Sequence, residues 1–397
     1  MKSFAIVLVC YNRINGIKRL IKSLENVNFD NRNDITLIFS IDNSGTKIVE
    51  DFAYSYKWPY GDKVIRTFEE RQGLKKHILS CGDYTFNYDI VTMLEDDIYV
   101  SNSFYYYAYH AALFYENDDN VAGISLYNFQ KNWLKWELRF EPQSSQYDTY
   151  FLKVAQSWGQ VWQKTKWQKF KEWYNQNEQF VKNELVPEYL NTWPESSWLK
   201  YHDKYCIETN KYFVYPYISV STNFSDIGEH ALIGSTDHQV ELMWNKKEYK
   251  YPNFDEHAII YDEYMNRENL GKYLDISNND LCVDFWSTKG IKLKEDKRYL
   301  LTTDILNYPI INSYELALRP IEMSVIKDIK GAGIYLYDTA TIEADKKIDT
   351  NYDLMIRYST RMSISYRLLL YSIKSVISNI MEKISRKMKC ILGGKRR

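Results

Sequence analysis

The chain has 397 residues, 51 Lys or Arg against 52 Asp or Glu, and is 45% hydrophobic and 26% charged, a balance that excludes a disordered chain and leaves room for a large core. Its five cysteines are scattered with no CxxC pair and no secretory leader ahead of them, which argues against a disulfide framework or a zinc site and predicts a reducing compartment. The small net charge hides an asymmetry, because residues 357–397 hold 11 Lys or Arg and one acid, Glu382, a local +10 that leaves −11 for residues 1–356.

Phe4 to Cys10 is a continuous apolar run, too short to span a bilayer and followed at once by Asn12, Arg13, Lys18 and Arg19; it predicts a buried strand. Ile14, Ile17, Leu20, Ile21 and Leu24 then fall at three- and four-residue spacing, which predicts a helix. A second strand is expected over 35–41, ended by the turn residues Asp42-Asn43-Ser44-Gly45, and a third over 64–67 before a helix over 73–81. The fourth strand, 90–94, runs into Glu95-Asp96-Asp97, after which Ser101-Asn102-Ser103 opens another helix. Strands joined by crossover helices predict an α/β fold with a mostly parallel sheet covered on both faces. Residues 130–230, rich in Trp and Tyr, read as helices and loops, and the runs 299–302 and 333–337 as an accessory segment. Near the end, Leu369, Ile373, Val376, Ile377, Ile380, Met381, Ile384, Met388 and Ile391 recur at helical spacing, with Lys374, Lys383, Arg386 and Lys387 on the other side. That pattern predicts a basic amphipathic helix suited to an anionic membrane surface.

Ligands of such sheets gather beyond the carboxyl ends of the strands, where Asn12-Arg13, Asp42 and Glu95-Asp97 all fall. Three adjacent acids repel one another and need solvent or a cation to stay ionised together; a divalent ion supplies that and keeps positions open for phosphate oxygens. The same acids would also suit an exposed turn before a helix, but their place after the fourth strand favours the metal. Asp42 could accept hydrogen bonds from a base or ribose, or could simply close an Asx-turn. Arg13 and Arg71 could balance a diphosphate through forked hydrogen bonds. Rival chemistries lack their signatures: there is no GxGxxG after the first strand, no GxxxxGK[ST] loop, no GxSxG elbow and no HExxH helix. The six histidines show no ligand spacing and read as surface or core residues. Nucleic acid is not an expected partner, since the basic charge is confined to the tail.

Val7-Leu-Val-Cys-Tyr-Asn-Arg13, Phe39-Ser-Ile-Asp42, Arg71-Gln-Gly-Leu-Lys-Lys-His77, Leu94-Glu-Asp-Asp97 and Ser157-Trp-Gly159 stand in the order found in family-2-like bacterial glycosyltransferases. Over about residues 4–240 the chain resembles that family, and it is similar to the β-1,2-N-acetylglucosaminyltransferases of N-glycan assembly. The resemblance implies a GT-A fold, an inverting mechanism and a Mn²⁺ or Mg²⁺ cofactor bound by Asp97, with Glu95 and Asp96 in support. It implies that Asp42 meets the nucleotide base, that Arg13 and Arg71 line the nucleotide pocket, and that a closing loop within 215–230 brings His230 to the donor phosphates. The family's catalytic base is an acid just before a tryptophan, about twenty residues ahead of the Pro-x-x-Ser segment matched by Pro216 to Ser219. The corresponding stretch, Trp193-Pro-Glu-Ser-Ser-Trp198, carries Ser196 or Ser197 there, so Glu195 is the expected base, with Asp203 and Asp226 as reserves.

The expectation is therefore an α/β GT-A domain over 1–285, divided into a nucleotide-sugar half (1–110) and an acceptor half (111–285). An accessory segment (286–355) and the amphipathic helix (356–397) follow. The expected activity moves a sugar from a nucleotide-diphosphate sugar, a UDP-sugar, to a saccharide or lipid-linked saccharide in surface-polysaccharide assembly. The place expected is the cytoplasm, peripheral at the inner face of the membrane. The alternative is a non-catalytic saccharide- or nucleotide-binding protein on the same fold.

Overall fold

The structure is a computed structural model that describes residues 1–226, 236–343, 348–360 and 366–393. Strands β1 (Phe4–Cys10), β2 (Ile35–Ile41), β3 (Lys63–Thr67) and β4 (Ile90–Glu95) alternate with helices α1 (Ile14–Glu25), α2 (Ile48–Ser55) and α3 (Leu74–Gly82). All four strands pair in parallel, in the order β4-β1-β2-β3. Every residue of β1 and β2 is buried, because helices cover both faces of a parallel sheet and leave no solvent side to accept polar residues. Helix α1 buries Ile17, Leu20, Ile21 and Leu24, the stripe its spacing predicts.

Beyond the acidic turn come β5 (Ile98–Val100), α4 (Phe104–Phe114), β6 (Val121–Ser125), β7 (Thr149–Leu152), β8 (Gln160–Gln163) and α5 (Lys164–Gln176). They are followed by α6 (Glu188–Thr192), α7 (Leu199–Glu208), β9 (Tyr212–Pro216), β10 (Ser221–Asn223) and β11 (Ile260–Tyr261). The large sheet runs β11-β7-β9-β6-β8-β4-β1-β2-β3, with antiparallel pairs only at β4/β8, β6/β8 and β7/β9. Residues 130–230 thus add strands where the sequence reads as helices and loops. Their strands are three to five residues long and buried on both faces, so they show neither the length nor the alternation that marks a strand.

The accessory segment is a second sheet, β12 (Leu281–Asp284), β13 (Tyr299–Thr302), β14 (Ile310–Glu315) and β15 (Gly333–Asp338), in the order β12-β13-β15-β14. It begins before the expected boundary at 286, and it carries the short helices α8 (Ile291–Glu295) and α9 (Glu322–Ile326). Val283, Leu301, Ile334 and Leu336 pack in the same apolar cluster as Trp162 and Phe213 of the large sheet. The tail is two helices, α10 (Tyr352–Thr360) and α11 (Tyr366–Gly393). Helix α10 is docked: Met355 is buried, the Ser359 hydroxyl accepts from the Arg139 amide, and the Tyr358 hydroxyl donates to the Leu318 carbonyl at 2.7 Å. The boundary expected at 356 thus falls inside α10, and α11 is described from Tyr366.

Candidate active site

A cleft of about 960 Å³ opens where the strand ends of the first half meet the loops of the second. One wall is polar: Tyr11, Asn12 and Arg13 follow β1, Asp42 follows β2, and Glu95, Asp96 and Asp97 end and follow β4. Arg71 and Gly73, at the entrance of α3, complete that wall. The other wall is aromatic, with Trp133, Trp158, Trp193 and Trp198, and it also carries Asp237 and His238.

The acidic turn is held from both sides. The Arg13 guanidinium pairs with Asp96 and donates to Asp97 Oδ2 at 3.1 Å, so a residue of the chain supplies part of the positive charge that the adjacent acids require. Burial disfavours the Arg13 cation, but Asp96, Asp97 and Glu95 outweigh it and raise its pKa. Burial pushes Asp96 up to about 6 against the pull of Arg13, while burial and the neighbouring Asp97 drive Glu95 up. The Phe224 amide donates to the Asp97 carbonyl at 2.9 Å, and β10 pairs with β5 just after the turn, so residues 221–226 are laced to the acids. Helix α1 approaches so closely that a Cβ at Gly16 would collide with the Asp96 carbonyl oxygen.

Asp97 Oδ1 is buried and lacks a hydrogen-bond partner, as does His238 Nδ1. Among the described residues no three His, Cys, Asp or Glu side chains converge into a metal cage. A divalent ion held by one or two protein groups and completed by donor phosphates needs no such cage, and the unpartnered Asp97 oxygen fits that kind of site. The expected neighbour His230 lies outside the described residues. His238, which the sequence reading passed over, lies against Trp158 at 4.4 Å between ring centres. Burial lowers its pKa, which keeps the ring neutral with one nitrogen able to accept. Nothing in Thr236-Asp-His-Gln239 signals this, since the residue reaches the cleft only by the return of the chain.

Asp42 faces the cleft with most of its capacity engaged. Oδ1 accepts from the Asn43 and Gln72 amides at 2.8 and 2.7 Å, and Oδ2 from Gly73 at 2.9 Å. A carboxylate has about four acceptor sites, so one remains for a base, and the first task of Asp42 is to fasten the 70–73 loop. Arg71 lies 5.2 Å over the Tyr11 ring, giving a flat cationic pair beside it.

None of the three expected base candidates lines the cleft. Glu195 turns away while Pro194, Ser196 and Ser197 face inward. Its oxygens accept from the Tyr201 hydroxyl and from Lys200 at 3.3 Å, and the Tyr201 hydrogen bond leads in lowering its pKa. Asp203 is fully buried, accepting from the Ala155 amide at 2.6 Å and the Tyr189 hydroxyl at 3.0 Å, and burial raises it to about 8. Asp226 is ion-paired with Arg19 of α1, whose guanidinium lies 3.9 Å over the Phe224 ring.

Comparison with solved structures returns a mannosyltransferase from Pyrobaculum calidifontis in complex with GDP-Man and Mn²⁺, at 11% identity and TM-score 0.33 over 54% of this chain and 55% of that one. It also returns GalNAc-T7 with UDP, GalNAc and Mn²⁺, at 11% identity and TM-score 0.39 over 56% and 43%, and TarS of S. aureus, at 15% identity and TM-score 0.33 over 54% and 60%. The matched part is less than two thirds of each of those chains. No curated protein matches the chain. Residues 5–175, short of half the chain but including the whole polar wall of the cleft, match the family described as Glycosyl transferase family 2.

Proposed function

We propose that the protein is an inverting glycosyltransferase that moves a sugar from a nucleotide-diphosphate sugar to a hydroxyl of a saccharide or lipid-linked saccharide in surface-polysaccharide assembly. It is read as a relative of the β-1,2-N-acetylglucosaminyltransferases using a UDP-sugar. The observation that carries this is the convergence of Arg13, Asp42, Arg71 and the acidic turn on one cleft, with Asp97 Oδ1 buried and without a hydrogen-bond partner. Asp42 and the Arg71–Tyr11 pair would take the base, and Asp97 would hold Mn²⁺ or Mg²⁺ with Glu95 and Asp96 in support. When bound, the ion would neutralise the leaving diphosphate. Arg13 keeps the turn compact, and its guanidinium can swing its second bond from Asp97 to a phosphate oxygen. The acceptor hydroxyl attacks the sugar's anomeric carbon, the bond to the diphosphate breaks, and the hydroxyl proton passes to a carboxylate or imidazole lining the cleft, where Asp237 and His238 stand on the aromatic wall. Helix α11 would keep the enzyme at the inner face of the membrane, beside a lipid-linked acceptor.

A second reading, a nucleotide- or saccharide-binding protein without turnover, is favoured by one observation: Glu195, Asp203 and Asp226 all point elsewhere. A panel of nucleotide sugars with Mn²⁺ or Mg²⁺ decides between them. Acceptor-dependent release of free nucleoside diphosphate is expected; binding without release would replace the first reading with the second, and absence of binding would remove both.

A further inference from the structure

The aromatic wall can be placed relative to the nucleotide by the sheet itself. Asp42 follows β2, Tyr11 to Arg13 follow β1, Asp97 follows β4, and Trp158 stands two residues before the start of β8, and these strands are neighbours in the order β2-β1-β4-β8. With strands about 4.8 Å apart, the step from Asp42 to Trp158 is roughly 14 Å, and the acidic turn lies between them. A nucleotide diphosphate laid from Asp42 to Asp97 therefore points its sugar toward the tryptophans.

Those tryptophans are arranged as a corner. The Trp133 ring meets Trp158 at 78° and Trp193 at 86°, with ring centres 6.0 and 5.9 Å apart, and all three are only partly buried. Each comes from a different loop, after β6, before β8 and after α6, so the corner is made by tertiary folding alone. Gly159 sets the middle one: its φ of +103° and its contact with Leu126 leave no room for a side chain, and Trp158 is turned to the cleft. Apolar rings at right angles in an open cleft, with the His238 ring 4.4 Å from Trp158 and its Nδ1 unpartnered among the described residues, suit a ring that is apolar on its faces and polar round its rim. A pyranose has that shape. A lipid tail would leave the His238 nitrogen unsatisfied, and a second nucleotide would find no Lys or Arg among the described residues of this wall to take its phosphate.

We infer that Trp133, Trp158 and Trp193 form the acceptor subsite, taking a pyranose ring of a saccharide against the tryptophan faces with one of its hydroxyls donating to His238 Nδ1. This rests on the glycosyltransferase reading above, and it adds acceptor-binding residues to a half for which the sequence offered only candidate bases and His230. The Trp193 ring also packs on Tyr189 at 4.8 Å, so the phenyl variant serves as a control for packing.

The test uses the full chain with UDP and Mn²⁺ and follows tryptophan fluorescence on titration with cellobiose, lactose and N,N′-diacetylchitobiose. At least one disaccharide is expected to quench the wild type. Trp193→Ala should weaken that saccharide about tenfold and Trp193→Phe should restore it to within about threefold, with UDP affinity by calorimetry unchanged within about twofold in both. Quenching by none of the three sugars, or equal saccharide affinity in Trp193→Ala, overturns the inference. Loss of UDP affinity with saccharide binding intact also overturns it, since the corner would then serve the donor. Absence of UDP binding by the wild type strikes the glycosyltransferase reading instead, and the saccharide titration still decides the subsite.

Discussion

Two carboxylates, Asp97 and Asp203, show how much a residue's surroundings decide its task. Asp97 shares one oxygen with Arg13 and keeps the other buried and unpartnered, a costly arrangement unless a ligand completes it. Asp97→Asn should therefore leave the urea midpoint near that of the wild type while abolishing Mn²⁺-dependent binding of UDP by calorimetry. Retained metal-dependent binding would remove Asp97 as the ligand. Asp203 is the opposite case, fully satisfied and away from the cleft, with a folded pKa of about 8 against an ordinary 3.8. Between pH about 4 and about 8 the folded chain holds a proton that the unfolded chain has released, so this group's contribution is full at low pH and is lost as pH rises. Asp203→Asn keeps an acceptor for the Ala155 amide and an amide for the Tyr189 oxygen. Its melting temperature relative to the wild type should climb steadily from pH 5 to pH 8 and then level; a difference that does not vary with pH would refute the buried-acid account.

At the scale of elements, strands β1 to β4 and helices α1 and α3 were legible because their apolar runs or helical spacing stand out between turn residues, whereas α2 was not anticipated; the acids that end β4 were legible because turn chemistry follows a continuous apolar run. After Asp97 the helix opened by Ser101 to Ser103 and the runs 299–302 and 333–337 were legible, but the short strands between 130 and 261 were not. Strand β5 has three residues, β11 has two, and the Trp and Tyr that fill 130–230 serve the core and the cleft with the same chemistry, so the sequence could not tell which rings face which. Glu195 illustrates the limit. The resemblance pointed to residues 193–198, of which Pro194, Ser196 and Ser197 line the cleft, but the Glu195 side chain is held by Tyr201 and Lys200, six and five residues on. The contact of α1 with the acidic turn is also invisible in sequence. Because Gly16 has no space for a Cβ beside the Asp96 carbonyl, Gly16→Ala must shift either the helix or the turn. A loss of about 1–3 kcal/mol in urea unfolding is expected, the usual cost of overpacking, with weakened UDP–Mn²⁺ binding. Unchanged stability and binding would mean that α1 does not set the geometry of the acids.

The whole molecule divides its charge between a body that is acidic and a tail that is basic. Helix α11 spans 28 residues, yet no described helix is long and apolar enough to cross a membrane. Its Leu369, Ile373, Val376, Ile377, Ile380, Met381 and Ile384 are each 47–62% exposed, so the apolar stripe does not dock on the body. On a helical wheel these residues fall within one arc, with Arg367 and Lys374 beside it, the layout of a helix lying in an interface with basic stems reaching to headgroups. Residues 366–393 hold six Lys or Arg and one acid. At about 1 kcal/mol per basic residue near an anionic surface, attraction contributes roughly 5 kcal/mol beyond apolar burial. The choice of cut decides whether this can be tested. Ending the chain at 356 would remove Tyr358 and Ser359, which fasten α10 to Leu318 and Arg139, and would confuse loss of a membrane contact with loss of fold. A chain ended after residue 365 keeps α10. It should lose binding to vesicles containing 30% phosphatidylglycerol while holding UDP–Mn²⁺ as the full chain does, and binding by the full chain should weaken as salt rises from 0.05 to 0.5 M, where screening shortens the reach of surface charge to a few ångströms. Equal vesicle binding by both chains would show that α11 is not the membrane contact.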